Sequence, residues 1–239
     1  MTGTTHSIGI LALLRSMSSG IGPWDDSLRN RSLALAIGLV VAGAGSYGAV
    51  VGAWRNPLQA VFTGIKLPLV ILLTTLGNAF INAMLAPLLG LPVTLRQSFA
   101  AVLFTFALAA SLLGSLVPVA IFIVWNLPPL SAATQLGSLE YSLLQLILVA
   151  FIAGCGIAGN LLFLPALEQR SGSRKIARQV LGSWLLVNLF LGSQIAWVLR
   201  PFIWDPARPV EFIGQEYLRG SFYETVFEAV RQLILQHLP

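Results

Sequence analysis

The chain has 239 residues, 56% of them hydrophobic and only 10% charged, with a mean hydropathy of +0.82. Ordinary soluble domains carry about 25% charged residues, so this composition excludes one or two water-soluble domains of the usual kind. The net charge of +5, from 14 Lys and Arg against 9 Asp and Glu, is clustered between apolar runs, which points to anionic lipid headgroups and not to nucleic acid.

In chain order, the first segment (1–31) lacks the charge and the small-residue site that would mark a cleaved signal peptide, and 7–17 reads as a short membrane-surface helix. The first apolar run, 32–54, is uncharged and bracketed by Arg31 and Arg55. It carries small residues at Gly38, Ala42, Ala44, Gly48 and Gly52. The second run, 67–89, follows "NPLQAVFTGIK", where Pro57 and Gly64 break the pattern. Residues 57–66 therefore read as an interfacial or re-entrant piece, with Lys66 snorkelling to the headgroups. Within the run, Thr74, Asn78 and Asn82 recur every four residues and so share a face.

The third run, 98–124, holds Pro118, which predicts a kink near one end. The fourth, 141–164, contains "FIAGCGIAGNLLF", with Gly154, Gly156 and Gly159 in G-x-G-x-x-G spacing. A dinucleotide loop needs a helix that begins at these glycines. Here they lie mid-run, where the backbone N–H groups are already committed to the helix. Ala150, Gly154 and Ala158, with Cys155, Gly156 and Gly159 beside them, read instead as a seam for close helix packing. The fifth run, 180–199, carries Asn188, Ser193 and Gln194 and ends at Arg200.

Each run is long enough for about 30 Å of hydrocarbon at 1.5 Å per residue. The predicted fold is all-α: a polytopic bundle of five spans over 32–200. Trp54, Trp125, Tyr141 and Trp197 fall at or near span ends, where aromatic belts belong. Positive residues place the N-terminus in the cytoplasm, with Arg15, Arg29, Arg31, Arg96, Arg170, Arg174, Lys175 and Arg178 on that side.

The last segment, 201–239, is then extracytoplasmic. Pro206 and Pro209 make its start an extended connector. Residues 221–238 read as an amphipathic helix outside the membrane core, opened by a Ser221/Glu224 capping box. Phe227, Val230 and Ile234 lie on its apolar stripe and Glu224, Glu228 and Arg231 opposite. Two glutamates on that polar face favour contact with protein over a lipid surface. Arg200 reads as a span-end residue that snorkels, or that holds an acidic tail residue or a lipid phosphate.

No Asp, Glu or His falls inside the five predicted cores, and His6 and His237 lie near the termini. Proton coupling, serine proteolysis, haem ligation and an H-E-x-x-H zinc site all lack their residues. No catalytic residue, metal or cofactor is expected. Cys155, the single cysteine, excludes an intramolecular disulfide. The polar residues Thr74, Asn78, Asn82, Asn160, Asn188 and Gln194 fit interhelical hydrogen bonding, with the lining of a solute path as the alternative.

Three strings, "GSYGAVVGAWRNPLQAVFTGIKLPLVILLTTLGNAFINAMLAPLLG", "LRQSFAAVLFTFALAASLLGSLVPVAIF" and "LGSQIAWVLRPFIWDPARPVEFI", the last with "LRGSFYETVF" after it, resemble a family of uncharacterised bacterial multi-pass membrane proteins. The likeness covers 45–230 and implies no particular activity. More distantly, five spans with a cytoplasmic N-terminus look like the Yip1-type membrane proteins, a resemblance that implies a role in membrane organisation. The function expected is thus a non-enzymatic accessory or scaffold subunit of a bacterial cytoplasmic-membrane assembly, with lipid and other membrane subunits, or its own copies, as partners. The alternative is a small-solute or ion transporter, channel or lipid-handling protein using the polar face of the second span.

Overall fold

The structure is a computed structural model that describes residues 30–126, 139–201, 210–214 and 223. The predicted surface helix at 7–17, the Pro206/Pro209 connector and the stripe of Phe227, Val230 and Ile234 lie outside the described residues. All regular structure among the described residues is helical. In chain order the helices are α1 (Asn30–Ala53), α2 (Pro57–Leu88), α3 (Leu95–Ser115), α4 (Val117–Trp125), α5 (Leu139–Ser171) and α6 (Arg174–Leu199). Five stretches are long and apolar enough to cross a membrane: α1, α2, α3, Val149–Ser171 of α5, and α6.

Local chemistry sets the boundaries. Asn56 caps α2 by accepting from the Gln59 amide at 2.7 Å, and Pro57 follows at the first helical position, where a missing N–H costs nothing. Thr94 and Gln97 form a reciprocal capping box at the start of α3 (3.2 and 3.1 Å). Ser173 caps α6. Gly90 and Gly172, with φ of 90° and 64°, turn the chain at the ends of α2 and α5 through a backbone region that disfavours other residues.

Two boundaries differ from the sequence expectation. Residues 57–66 are the first turns of a single 32-residue α2 and not a separate piece. Pro57 starts that helix instead of breaking it. Gly64 is used for packing, since a Cβ there would stand 3.3 Å from the Gly45 carbonyl oxygen. Residues 98–124 are conversely two helices, because Pro118 in the first turn of α4 has no N–H to continue the α3 ladder. The chain steps across at Leu116, whose amide bonds back to the Leu113 carbonyl at 3.1 Å.

α3 is the most enclosed span, packed against α1, α2 and α5. α1 lies along α2, α3 and α4, while α6 closes the bundle against α2 and α5. One apolar core joins Val40, Ala44, Tyr47 and Val51 of α1 to Leu103, Phe104, Ala107 and Leu113 of α3. A second, nearer the other end of the bundle, gathers Ala86, Leu91, Val102, Phe163, Leu167, Val180 and Trp184, with the Phe163 and Trp184 rings stacked at 6.2 Å. Lipid tails are as apolar as leucine, so contact quality and not water exclusion holds these helices together.

Small residues provide that contact. A Cβ on Gly48 would stand 2.7 Å from the Thr63 carbonyl oxygen, and one on Gly52 2.5 Å from that of Gln59. Gly43 meets the backbone of Ala110 on α3, also with no room for a side chain. Gly159 of α5 closes on Thr105 and Ala109, where a Cβ would come within 2.9 Å of the Thr105 oxygen. Two glycines of the expected α5 seam, Gly154 and Gly156, do not pack against the described residues. Gly154 is exposed, and a Cβ on Gly154 or Gly156 would meet nothing within 4 Å. The face in use is Cys155, Gly159 and Phe163, one residue round from Ala150, Gly154 and Ala158. On α1 the outcome is similar: Gly48 and Gly52 are buried, whereas Gly38 and Ala42 are exposed.

Candidate functional site

Polar side chains are concentrated where α2 meets α6. The two helices run antiparallel in a register marked by Gly90 beside Ile176, Asn78 bonded to Asn188, and Gly192 beside Thr74. That register advances four residues at a time and carries Asn82 to the level of Trp184. Thr74, Asn78 and Asn82 are all buried, as their shared spacing predicts. One amide hydrogen of Asn78 is donated to Asn188 Oδ1. This contact is the interhelical hydrogen bond expected of uncharged amides in lipid, worth on the order of 1 kcal/mol.

The other polar atoms of the seam are not satisfied. The Thr74 hydroxyl, Asn78 Oδ1, both ends of the Asn82 amide and the Trp184 indole N–H have no hydrogen-bond partner among the described residues. A buried polar group without a partner costs about 1–3 kcal/mol by protein mutational measures. By contrast, Thr75 bonds back to the Ile71 carbonyl at 2.8 Å, and Ser98 of α3 donates to the Ala79 carbonyl of α2 at 2.9 Å. Five such atoms are thus gathered in one seam.

Asn160, grouped with this face in the alternative sequence reading, is elsewhere. It sits on α5, which packs on α3, and its amide donates to its own helix at the Gly156 carbonyl (2.8 Å). That bond satisfies a donor locally and leaves Asn160 no part in the α2–α6 seam. Gln194 is half-buried on α6. Asn188 of α6 reaches the polar face of α2 through its bond to Asn78.

At the far end of the seam the sequence reading of Lys66 needs correction. It does not snorkel outward: only 2% of it is exposed. Its ammonium donates to the Glu211 carbonyl at 3.3 Å and lies 5.2 and 6.0 Å from the ring centres of Phe212 and Phe62. Those two rings meet edge to face at 5.3 Å. The segment 210–214 thus folds over the start of α2, and Lys66 is compensated by a carbonyl and two aromatic faces in place of water. No pattern in the local sequence signals this, because the partner lies 145 residues away.

Arg200 ends α6 in the left-handed conformation (φ 42°, ψ 66°), and its amide bonds to the Ala196 carbonyl at 2.8 Å. Its guanidinium lies 4.7 Å from the Trp197 ring centre, and Nε donates to the Trp197 carbonyl at 3.3 Å. This is a helix-end arrangement. Tyr223, the described residue of the expected C-terminal helix, stacks on Phe190 at 5.2 Å. Its hydroxyl lies 2.7 Å from Ser193 Oγ and 3.1 Å from the Phe190 carbonyl. Those positions are roughly 9 to 14 Å back from the end of α6 at 1.5 Å per residue. Tyr223 therefore lies alongside α6.

Among the described residues no group of three or more His, Cys, Asp or Glu is placed to hold a metal ion. No family model, curated protein or solved structure matches the chain.

Proposed function

We propose that the protein is a non-enzymatic integral membrane subunit, an accessory or scaffold component of an assembly in the bacterial cytoplasmic membrane. The observation that supports this reading is the uncovered glycine face of α5. Gly154 and Gly156 leave backbone bare where no other part of the described chain approaches, with Ile157 and Leu161 exposed on the same helix. A glycine inside a helix costs about 1 kcal/mol relative to alanine, and it gains nothing against fluid lipid. Against another helix it allows close backbone approach, the use already made of Gly48, Gly52 and Gly159 within the chain. The open face fits a span of a neighbouring subunit or of a second copy. The basic residues Arg31, Arg96, Arg170, Arg174, Lys175 and Arg178 favour a cytoplasmic placement for the helix ends that carry them.

The test is the assembly state of the full chain extracted in native-membrane particles, with Gly154→Leu and Gly156→Leu alongside. Association in the wild type, lost in both variants while the helical circular dichroism is kept, is the expected result. A wild type that is monomeric and retains no partner sinks the reading.

A further inference from the structure

The α2–α6 seam contains no charge: 67–88 and 180–199 include no Asp, Glu, Lys, Arg or His. Thr74, Asn78, Asn82 and Trp184 are 3%, 0%, 0% and 2% exposed. If structural bonding were the seam's whole role, these groups would pair with one another across it. Only the Asn78–Asn188 bond does so. Around it remain two donors, the Asn82 amide and the Trp184 indole, two acceptors, Asn78 Oδ1 and Asn82 Oδ1, and the Thr74 hydroxyl, which serves as either. Gly192 keeps the opposite wall free of a side chain beside Thr74, where a Cβ would stand 3.7 Å from the hydroxyl oxygen.

We propose that the seam between Thr74 and the level of Asn82 and Trp184 is a binding site for a small uncharged solute that both donates and accepts hydrogen bonds, of the amide or polyol class. A few convergent polar groups on apolar walls are how small-molecule sites fix orientation. A carboxylate or ammonium entering here finds no opposite charge, and a purely apolar molecule leaves the same atoms unpaired. An amide or hydroxyl compound satisfies both kinds of group at once. This inference is independent of the scaffold reading: it concerns α2 and α6, while that reading concerns the outer face of α5.

The test uses the full chain in lipid nanodiscs with nitrogen-15 in the tryptophan indoles, the Trp184 signal being assigned by its loss in Trp184→Phe. Acetamide and glycerol are titrated as probes, and acetate serves as the charged molecule of acetamide's shape. The Trp184 signal is expected to move saturably with acetamide or glycerol and to stay still with acetate. Thr74→Val and Asn82→Leu are each expected to weaken the response by roughly fivefold, the worth of about one neutral hydrogen bond. Thr74→Val keeps the side-chain shape, so it carries the test alone if Asn82→Leu does not fold. No movement with either probe overturns the proposal. So does a linear drift shared by all the indoles, an equal response to acetate, or a response unchanged in Thr74→Val.

Discussion

Gly52 of α1 faces Gln59 of α2 so closely that a Cβ on the glycine would stand 2.5 Å from the Gln59 carbonyl oxygen and 2.8 Å from the Ala60 Cα. The atoms in the way are backbone and cannot swing aside. Adding a side chain must therefore move one helix relative to the other. Gly48 against Thr63 repeats the arrangement one turn along, so the α1–α2 hairpin is held by a ladder of backbone contacts.

A contrast in sign follows between two glycines that look alike in sequence. Gly52→Ala is expected to destabilise the bundle by about 1–3 kcal/mol, the usual cost of overpacking, although alanine is the better helix former. Gly154→Ala, with nothing among the described residues within 4 Å of its Cβ, is expected to be neutral or to stabilise by up to about 1 kcal/mol. Reversible unfolding in mixed micelles, followed by circular dichroism, measures both. Equal losses at the two positions in a monomeric preparation would mean that another part of the same chain covers the α5 face.

The Asn78–Asn188 bond is open to a double-mutant cycle. Asn78→Leu and Asn188→Leu are each expected to cost stability, and together less than the sum. The coupling should be on the order of 1 kcal/mol, the value typical of interhelical hydrogen bonds in membranes. The same micelle unfolding reads it. Strict additivity would show that the two amides do not bond across the seam.

Tyr223 gives a smaller test of where the C-terminal segment lies. Tyr223→Phe keeps the ring stacked on Phe190 and removes the hydroxyl beside Ser193 and the Phe190 carbonyl. A loss of about 0.5–1.5 kcal/mol is expected, the net worth of one hydrogen bond. Ser193→Ala should then add little to it, since Ser193 also bonds its own helix at the Leu189 carbonyl. Full additivity of the two changes would place Tyr223 away from α6.

These cases mark what the sequence made legible. Apolar runs and their length identified the five spans, because the cost of exposing backbone to lipid leaves a helix little alternative. The four-residue spacing of Thr74, Asn78 and Asn82 correctly gave a shared buried face. Spacing did not tell which of two adjacent small-residue faces of α5 is used. Ala150, Gly154 and Ala158 and the face of Cys155 and Gly159 differ by one residue, and only the position of α3 chooses between them. Prolines were ambiguous for a related reason: Pro57 starts a helix because Asn56 caps it, and the local string does not show that a cap will form. Trp184 and Lys66 were missed as site residues because their environments are made by other helices and by the segment after α6.

Lys66 offers the sharpest check on that long-range environment. Its ammonium ties the Glu211 carbonyl to α2, and its neighbours Phe62 and Phe212 close over it. Lys66→Met keeps most of the stem volume and removes the charge, so the helix should survive while the 210–214 segment loosens. A charge-assisted hydrogen bond contributes about 1.5 kcal/mol or more, which is roughly a tenfold rise in local opening. Cleavage after Glu211 by a glutamate-specific protease, applied to the intact protein in nanodiscs, reports that opening. The variant is expected to be cut about tenfold faster than the wild type, with its unfolding transition nearly unchanged, because opening of a surface segment is decoupled from the bundle. Equal cleavage rates would mean that Phe62 and Phe212 alone hold the segment and that the buried ammonium is a passenger.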